Sequence, residues 1–325
     1  MSNLSVRDIA TITAARLHLA DLPPLLGALE PVTSIHFTLD SLETGSLFWT
    51  LGPADSSASL RAELSFMQGA SGLLLDSRHV EPWAGRYTLR VSNSRLALRH
   101  LAAFLRSRRT SQVIAVTPRP AGDPTCHFLQ AILDQPPPIP PWHPATVQLA
   151  ATPSTTLIKL TDPITAHGSA SLLLASPNFL LTGHADPFLT NHCDRHVIHQ
   201  LLESLLPNGH LVYTELLNLT ELPDPLPAVD LPIRWTQALA DTDMTLFRIG
   251  TSHLADLRIT GTHDHLGKTY LQVDDFSLPY TTATFPDAVA RLTAYGVGRL
   301  LGQQRLALAR RLKLQQLPPI RRTAA

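Results

Sequence analysis

The stretch DQPPPIPPWHP, residues 134–144, places six prolines between Pro136 and Pro144. Proline has no N–H to give to a ladder or a helix, and its ring fixes φ. Such a run is extended and cannot continue a regular element. It cuts the 325-residue chain into halves of similar length, each near the usual size of one domain. The reading is a first α+β half over 1–134, a Pro-rich linker over 135–153, a second domain over 154–285, and a basic C-terminal helix and tail over 286–325. No sequence repeat relates the halves, although a repeat of architecture would not need one.

The chain can afford a sizeable core, being 44% hydrophobic and 16% charged. Its formal net charge is zero, so no global field points to a polyanion, and nucleic acid is not an expected partner. Two cysteines, Cys126 and Cys193, cannot make a disulfide framework and suit a reducing compartment. Arg7, Asp8, Arg16, His18 and Asp21 break the apolar runs of the N-terminus, which is not a secretory signal. No apolar run approaches the roughly 18 residues of a membrane span. The expectation is a cytoplasmic protein.

In the first half SIHFTL (34–39), SLFWTL (46–51), SLRAELSF (59–66), GRYTLRVS (85–92) and QVIAVTP (112–118) have strand length and composition. SRLALRHLAAFLRSRR (94–109) repeats apolar residues at helical spacing. In the second half SLLLAS and NFLLTG flank a short turn at Pro177, and HLVYTELLNL and AVDLPIRW follow. MTLFRIGTS, LADLRITGT and KTYLQVDDFSL come next, the last two joined by the turn HDHLG. Strand pair, helix and meander is an α+β order in which one sheet wraps a helix. The segment after residue 286 predicts a long helix weakened by Gly296, Gly298 and Gly302.

PFLTNHCDRHVIHQLLESLLPNGH, residues 187–210, is the most chemically loaded stretch. A helix starting near Asn191 or Asp194 puts His192, His196, His199 and Glu203 on one face, with Val197, Ile198, Leu201, Leu202 and Leu205 opposite. Three readings stand. The polar face is simply solvated, in a chain with 15 histidines. Or His192 and His196, four residues apart, start a metal site. Or a histidine and a carboxylate transfer protons. No HExxH, P-loop, G-x-S-x-G or dinucleotide fingerprint is present. His263, Asp264 and His265 read as exposed turn residues.

The surrounding GSASLLLASPNFLLTGHADPFLTNHCDRHVIHQLLES resembles the second hotdog repeat of the A-factor (γ-butyrolactone autoregulator) biosynthesis family. The matching positions are Leu172 to Ser176, Phe179 to Thr182, Phe188, Asn191, His192, His196, Val197, Leu201, Leu202 and Glu203. The run LPIRWTQALADTDMTLFRIGTSHLADLRITGTHDHLGKTYLQVDDFSLP is similar in layout to the second hotdog of polyketide dehydratase domains. The resemblance implies an α+β double hotdog: two antiparallel sheets, each wrapping a central helix, followed by the C-terminal helix. The first half would be a divergent hotdog. It implies an enzyme acting on an acyl thioester, by dehydration or acyl transfer, in lipid, polyketide or autoregulator synthesis. His192 or His196 would be the general base, Glu203 its partner, and Phe188 and His199 substrate contacts, with no metal and no cofactor. Ile198-His199 replaces the family's Pro-Gly, and the family's arginine after the glutamate is missing. Both departures favour the alternative, a non-catalytic hotdog that binds an acyl chain or a protein.

Charge is unevenly spread. Eight arginines and no acid lie between Glu81 and Asp123, and residues 288–322 carry eight Lys and Arg and no acid. Such a face is either solvated or a landing patch. In the second reading Arg305, Arg310, Arg311 and Lys313 face an acyl carrier protein, or the substrate is an acyl-CoA. Leu301, Leu308 and Leu312 then pack on the body or on the second subunit of a homodimer.

Overall fold

The computed structural model describes residues 4–20, 29–39, 42–51, 56–76, 80–108, 111–117, 123–133, 155–160, 166–183, 195–215, 239–240, 242–251, 253–273, 276–280 and 285–314. They form two compact units. The first comprises Met1–Val113, Ile139–Thr156 and Leu160–Pro177, and the second Ile114–Pro138, Leu157–Lys159 and Asn178–Ala325. The run 134–144 lies outside the described residues.

Among the described residues the first unit carries a five-stranded sheet. Its strands are β1 (Arg16–Leu19), β2 (Ser34–His36), β3 (Ser46–Trp49), β4 (Gly72–Asp76) and β5 (Tyr87–Val91), in the order β1-β5-β4-β3-β2. β2 to β5 are parallel, and only β1 runs against them. Parallel strands are covered on both faces and therefore read as unbroken apolar runs. All four residues of β3 are buried. One face is covered by α1 (Val6–Thr13), α3 (Ser94–Ser107) and α5 (Ala166–Ala175). α3 is capped by the Asn93 side chain, which accepts from Leu96 N at 2.8 Å. It buries Ala97, Leu98, Leu101, Ala102 and Leu105. The Trp49 indole, fully buried, donates to Ser94 O at 3.2 Å. On a second cluster Ala62 and Phe66 of α2 (Ser56–Met67) pack with Phe48, Leu73 and Leu75.

The second unit carries an eight-stranded sheet among the described residues, ordered β13-β12-β11-β10-β9-β8-β6-β7. Its strands are β6 (Val113–Val116), β7 (Thr156–Lys159), β8 (Phe179–Gly183), β9 (His210–Thr214), β10 (Thr245–Gly250), β11 (Leu257–His265), β12 (Lys268–Val273) and β13 (Phe276–Tyr280). β6, β8, β9 and β10 are mutually parallel, and β11 adds to β10 in the same sense. β11 to β13 form an antiparallel meander. Its hairpin turns at Leu266 and Gly267, with φ of 51° and 72°, the positive pair that a tight two-residue turn requires. The helices are α4 (Thr125–Leu133), α6 (Arg195–Ser204), α7 (Phe285–Leu300) and α8 (Arg305–Leu314). Phe128, Leu129 and Ile132 of α4 share one core with Ala288, Leu292 and Tyr295 of α7 and with Leu308 and Leu312 of α8.

These sheets overturn the double hotdog. A hotdog wraps an antiparallel sheet around a helix; here mostly parallel strands are covered by helices, an α/β arrangement. Two misread segments explain the error. SLRAELSF is helical, burying Ala62, Ser65 and Phe66 at three- and four-residue spacing. SLLLAS lies largely in α5, fully covered, and a short run apolar on all sides has no period to distinguish helix from strand. The long C-terminal helix is two helices, broken at Gly302 with φ 76°. Gly296 and Gly298 stay helical because neighbours come close. A Cβ at 296 would lie 2.9 Å from Ile249 Cδ1, and one at 298 would lie 2.5 Å from Leu308 Cδ2.

Two outcomes test this packing. Gly298→Ala forces a methyl into the fully buried Leu308 side chain. It should cost about 1–3 kcal/mol of unfolding free energy, read from denaturant midpoints; a neutral substitution would contradict the α7–α8 contact. His210 stacks on Phe179 with ring centroids 5.1 Å apart, and its buried Nδ1 has no hydrogen-bond partner. Burial lowers its pKa from the usual 6.5. Below that pH the unfolded chain takes up a proton that the fold refuses, so stability falls as pH drops from about 6.5. His210→Phe keeps the stack and removes the titration. The acid-side slope of stability against pH should flatten, and an unaltered slope would count against this account.

Candidate functional site

In open α/β sheets, ligands bind beyond the carboxyl ends of the parallel strands. In the second unit those ends are Thr117, Thr182–Gly183, Thr214–Glu215 and Gly250. Thr117 follows β6 and bonds Leu181 O through its N–H at 2.9 Å and its hydroxyl at 3.1 Å. Residues 118–122 lie outside the described residues. The chain is described again at Asp123, whose Oδ1 accepts from Thr125 N at 2.7 Å. α4 starts there, with Phe128 N donating to Pro124 O at 3.1 Å. Thr125 is 1% exposed and its Oγ1 has no hydrogen-bond partner; neither has the buried Nε2 of His127 one turn-fraction further on.

Parallel strand, loop, helix is the arrangement that holds phosphates in nucleotide-binding proteins. That chemistry needs backbone N–H groups lining the loop and a lysine before its Ser or Thr. This loop reads TPRPAGDP from Thr117 to Pro124. Pro118, Pro120 and Pro124 have no N–H to offer. The lysines of the chain are Lys159, Lys268 and Lys313, none of them in the loop. The one Gly-Lys-Thr triplet, Gly267 to Thr269, is the hairpin between β11 and β12, where no helix begins.

Beside this edge, Thr214 and Thr293 share a buried hydroxyl hydrogen bond of 3.0 Å between β9 and α7. Glu215 lies against Gly250, where a Cβ would collide with its carboxylate. On the helices, burial raises the Asp287 pKa, opposed by the nearby charges of Arg291 and His127. The Arg291 guanidinium sits 4.2 Å over the Phe128 ring and donates to Leu312 O, joining α7 to α4 and α8.

Of the residues singled out by sequence, Phe188 and His192 lie outside the described residues. His196 belongs to α6, and its side chain lies outside them too. His199 and Glu203 are exposed, while Leu201, Leu202 and Leu205 of the same segment are buried. Arg305, Arg310, Arg311 and Lys313 are exposed on α8. Leu308 and Leu312 are buried, and Leu301 packs against the core. Arg311 also donates to Ile132 O at 3.0 Å, joined there by Gln303 Nε2 at 3.3 Å. These donors cap the carbonyl end of α4. Among the described residues no group of three or more His, Cys, Asp or Glu is placed to hold a metal ion. Among them, too, no helix is long and apolar enough to cross a membrane.

Asp123 and Thr125 belong to no motif visible in the sequence, where no Gly-Lys phosphate loop precedes them; the signal there is weaker, an apolar strand VIAV, a Pro/Gly loop and an Asp ahead of a helix.

No protein-family model matches the chain, and no curated protein matches it. Solved structures do. MurF from Acinetobacter baumannii has a TM-score of 0.60 at 15% identity, over 97% of this chain and 69% of that one. The UDP-N-acetylmuramoylalanyl-D-glutamyl-2,6-diaminopimelate–D-alanyl-D-alanyl ligase structure from the same organism gives 0.57 at 14%, over 97% and 69%. The MurF ligase from Thermotoga maritima in complex with ADP gives 0.51 at 15%, over 91% and 68%. At such identities the likeness establishes the fold, which is of the Mur-ligase type. It removes the resemblance to hotdog proteins, and with it the acyl-thioester reaction and the acyl-carrier or acyl-CoA partner. Those rested on the hotdog resemblance, in which an antiparallel sheet wraps a central helix, and the mostly parallel sheets with helices on their faces do not have that arrangement.

The capping bond separates two neighbouring arginines. Arg311→Gln should lower unfolding free energy by about 1 kcal/mol, the worth of one hydrogen bond. Arg310→Gln should leave the denaturant midpoint unchanged. Equal effects of the two would contradict the capping role.

Proposed function

We propose that this chain is a cytoplasmic protein of the Mur-ligase fold that binds a UDP-sugar peptide, of the kind its structural neighbours are named for, without driving ATP-dependent ligation. The loop between β6 and α4 carries this reading. Three of its residues from Thr117 to Pro124 are prolines and none is a lysine, so it departs from the N–H-rich, lysine-bearing loop that cradles a triphosphate. The likeness over 97% of the chain to structures of the ligases supports a related substrate. Fold alone does not carry chemistry over, because reactions reside in sites. A second reading, an ATP-dependent amide ligase, is favoured by one observation: the Thermotoga maritima neighbour was solved with ADP.

Calorimetric titration separates the two. A UDP-N-acetylmuramoyl peptide should bind saturably and raise the melting temperature, while ATP with magnesium should do neither. No phosphate should be released when the peptide, D-alanyl-D-alanine and ATP are supplied together. Peptide-dependent phosphate release would establish the ligase reading instead, and absence of sugar-nucleotide binding would remove the proposed ligand.

A further inference from the structure

We infer that His263 and His265, on an overhanging ribbon of the second sheet, form a chelate for a divalent transition-metal ion of the copper and nickel type. β11 pairs with β10 only at Leu257 and Arg258, which stand beside Ile249 and Gly250 at the carboxyl end of β10. From there β11 runs on to His265, past that end. Over this stretch its partner is β12, in a regular antiparallel register: His263 stands opposite Tyr270, Asp264 opposite Thr269 and His265 opposite Lys268. The one irregularity, between Ile259 and Gly261, comes before the two histidines. The sequence reads them as turn residues; the structure puts them in a strand, and that decides which side chains share a face. Residues two apart on a strand lie on one side, about 7 Å from each other, and the residue between them points to the other side. His263 and His265 therefore share a face. Asp264 lies on the opposite one, where its Oδ1 accepts from Thr269 Oγ1 at 2.7 Å. Both histidines are exposed. The His263 ring stacks on Tyr270, with centroids 5.4 Å and planes 16° apart.

The ligand class follows from the donors. Two imidazole rings leaning together can each bring a nitrogen to about 2.0–2.1 Å from one ion. Imidazole nitrogen suits copper, nickel and zinc, whereas magnesium and calcium seek oxygen. The described residues place no group of three His, Cys, Asp or Glu around an ion, so the pair fills two positions and water the rest. Copper(II) and nickel(II), which favour a square plane, fit two neighbouring nitrogens best. Lys268, opposite His265, puts a positive charge on the same face and opposes the ion. None of these residues lies in the loop that carries the proposed function, so the two readings stand or fall separately.

The probe is copper(II) alone, titrated into the full chain. The readout is paramagnetic broadening of the amide and ring signals of His263, His265 and Tyr270, which reports this ribbon whatever other histidines of the chain bind. These signals should broaden saturably, and excess magnesium should not restore them. His263→Gln and His265→Gln should each weaken the local affinity at least about tenfold, the loss that even an outer-shell change causes at a metal site. Asp264→Asn, on the other face, should leave it unchanged, and Lys268→Ala should strengthen it. All four positions are exposed, so the substitutions leave the core intact. The inference is overturned if the three residues show no saturable broadening, or if either histidine variant binds as the wild type does. It is equally overturned if Asp264→Asn weakens binding as much as His265→Gln, because the ion would then not sit on the face that strand alternation assigns.

Discussion

Parallel pairing of β6, β8, β9 and β10 is the constraint on which the second unit depends. Parallel neighbours cannot be joined by a tight turn, so each connection returns over a face of the sheet, usually as a helix. Both faces are then buried, and the strands VIAV, FLLTG and HLVYT are apolar almost throughout. The same pairing puts all four carboxyl ends on one edge. The loop after β6 therefore delivers the start of α4 to that edge, and a buried threonine and an aspartate meet there because of strand direction rather than local preference.

Covering the sheet closely sets the chemistry of the C-terminal segment. Gly296 lies against Phe247 and Ile249 of β10, and Gly298 lies against Leu308 of α8. A side chain at either place would push the helices off their neighbours. The positive bias of this segment also has an internal use. Helix carboxyl ends leave carbonyls without partners. Arg311 and Gln303 serve Ile132 O at the end of α4, and Arg291 serves Leu312 O on α8. Arg311 is exposed and structural at once, its charge facing water while its N–H groups hold a helix end.

The fold and the chemistry of the edge point in different directions. The strand-loop-helix at β6 and α4 has the topology of a phosphate site. Its loop carries three prolines and no lysine, and Asp123 Oδ1 already accepts from Thr125 N at the helix start. Sheet topology tolerates such changes because loops at the edge contribute little to the core. Ile114, Val116 and Phe128 hold β6 and α4 together whatever the loop between them contains.

The amino-acid sequence alone determined the elements with a clear period or a clear punctuation mark. Leu98, Leu101 and Leu105 announce α3, the HDHLG turn announces the β11–β12 hairpin, and the alternation of apolar and turn residues marks β2, β3, β5, β6, β8 and β9. It could not determine whether neighbouring strands run parallel or antiparallel, because one strand's side chains are nearly the same in either pairing. That missing sign, with two helices read as strands, turned the strands into a hotdog. Nor could it distinguish helix from strand in SLLLAS, where every side is buried. Tertiary structure decided these points. It set strand direction through the crossovers, made α5 a helix by packing Ala170, Leu173 and Leu174 into a core, and brought Asp123 and Thr125 to the sheet edge. Contacts between residues distant in sequence fix all three, and no local pattern carries them.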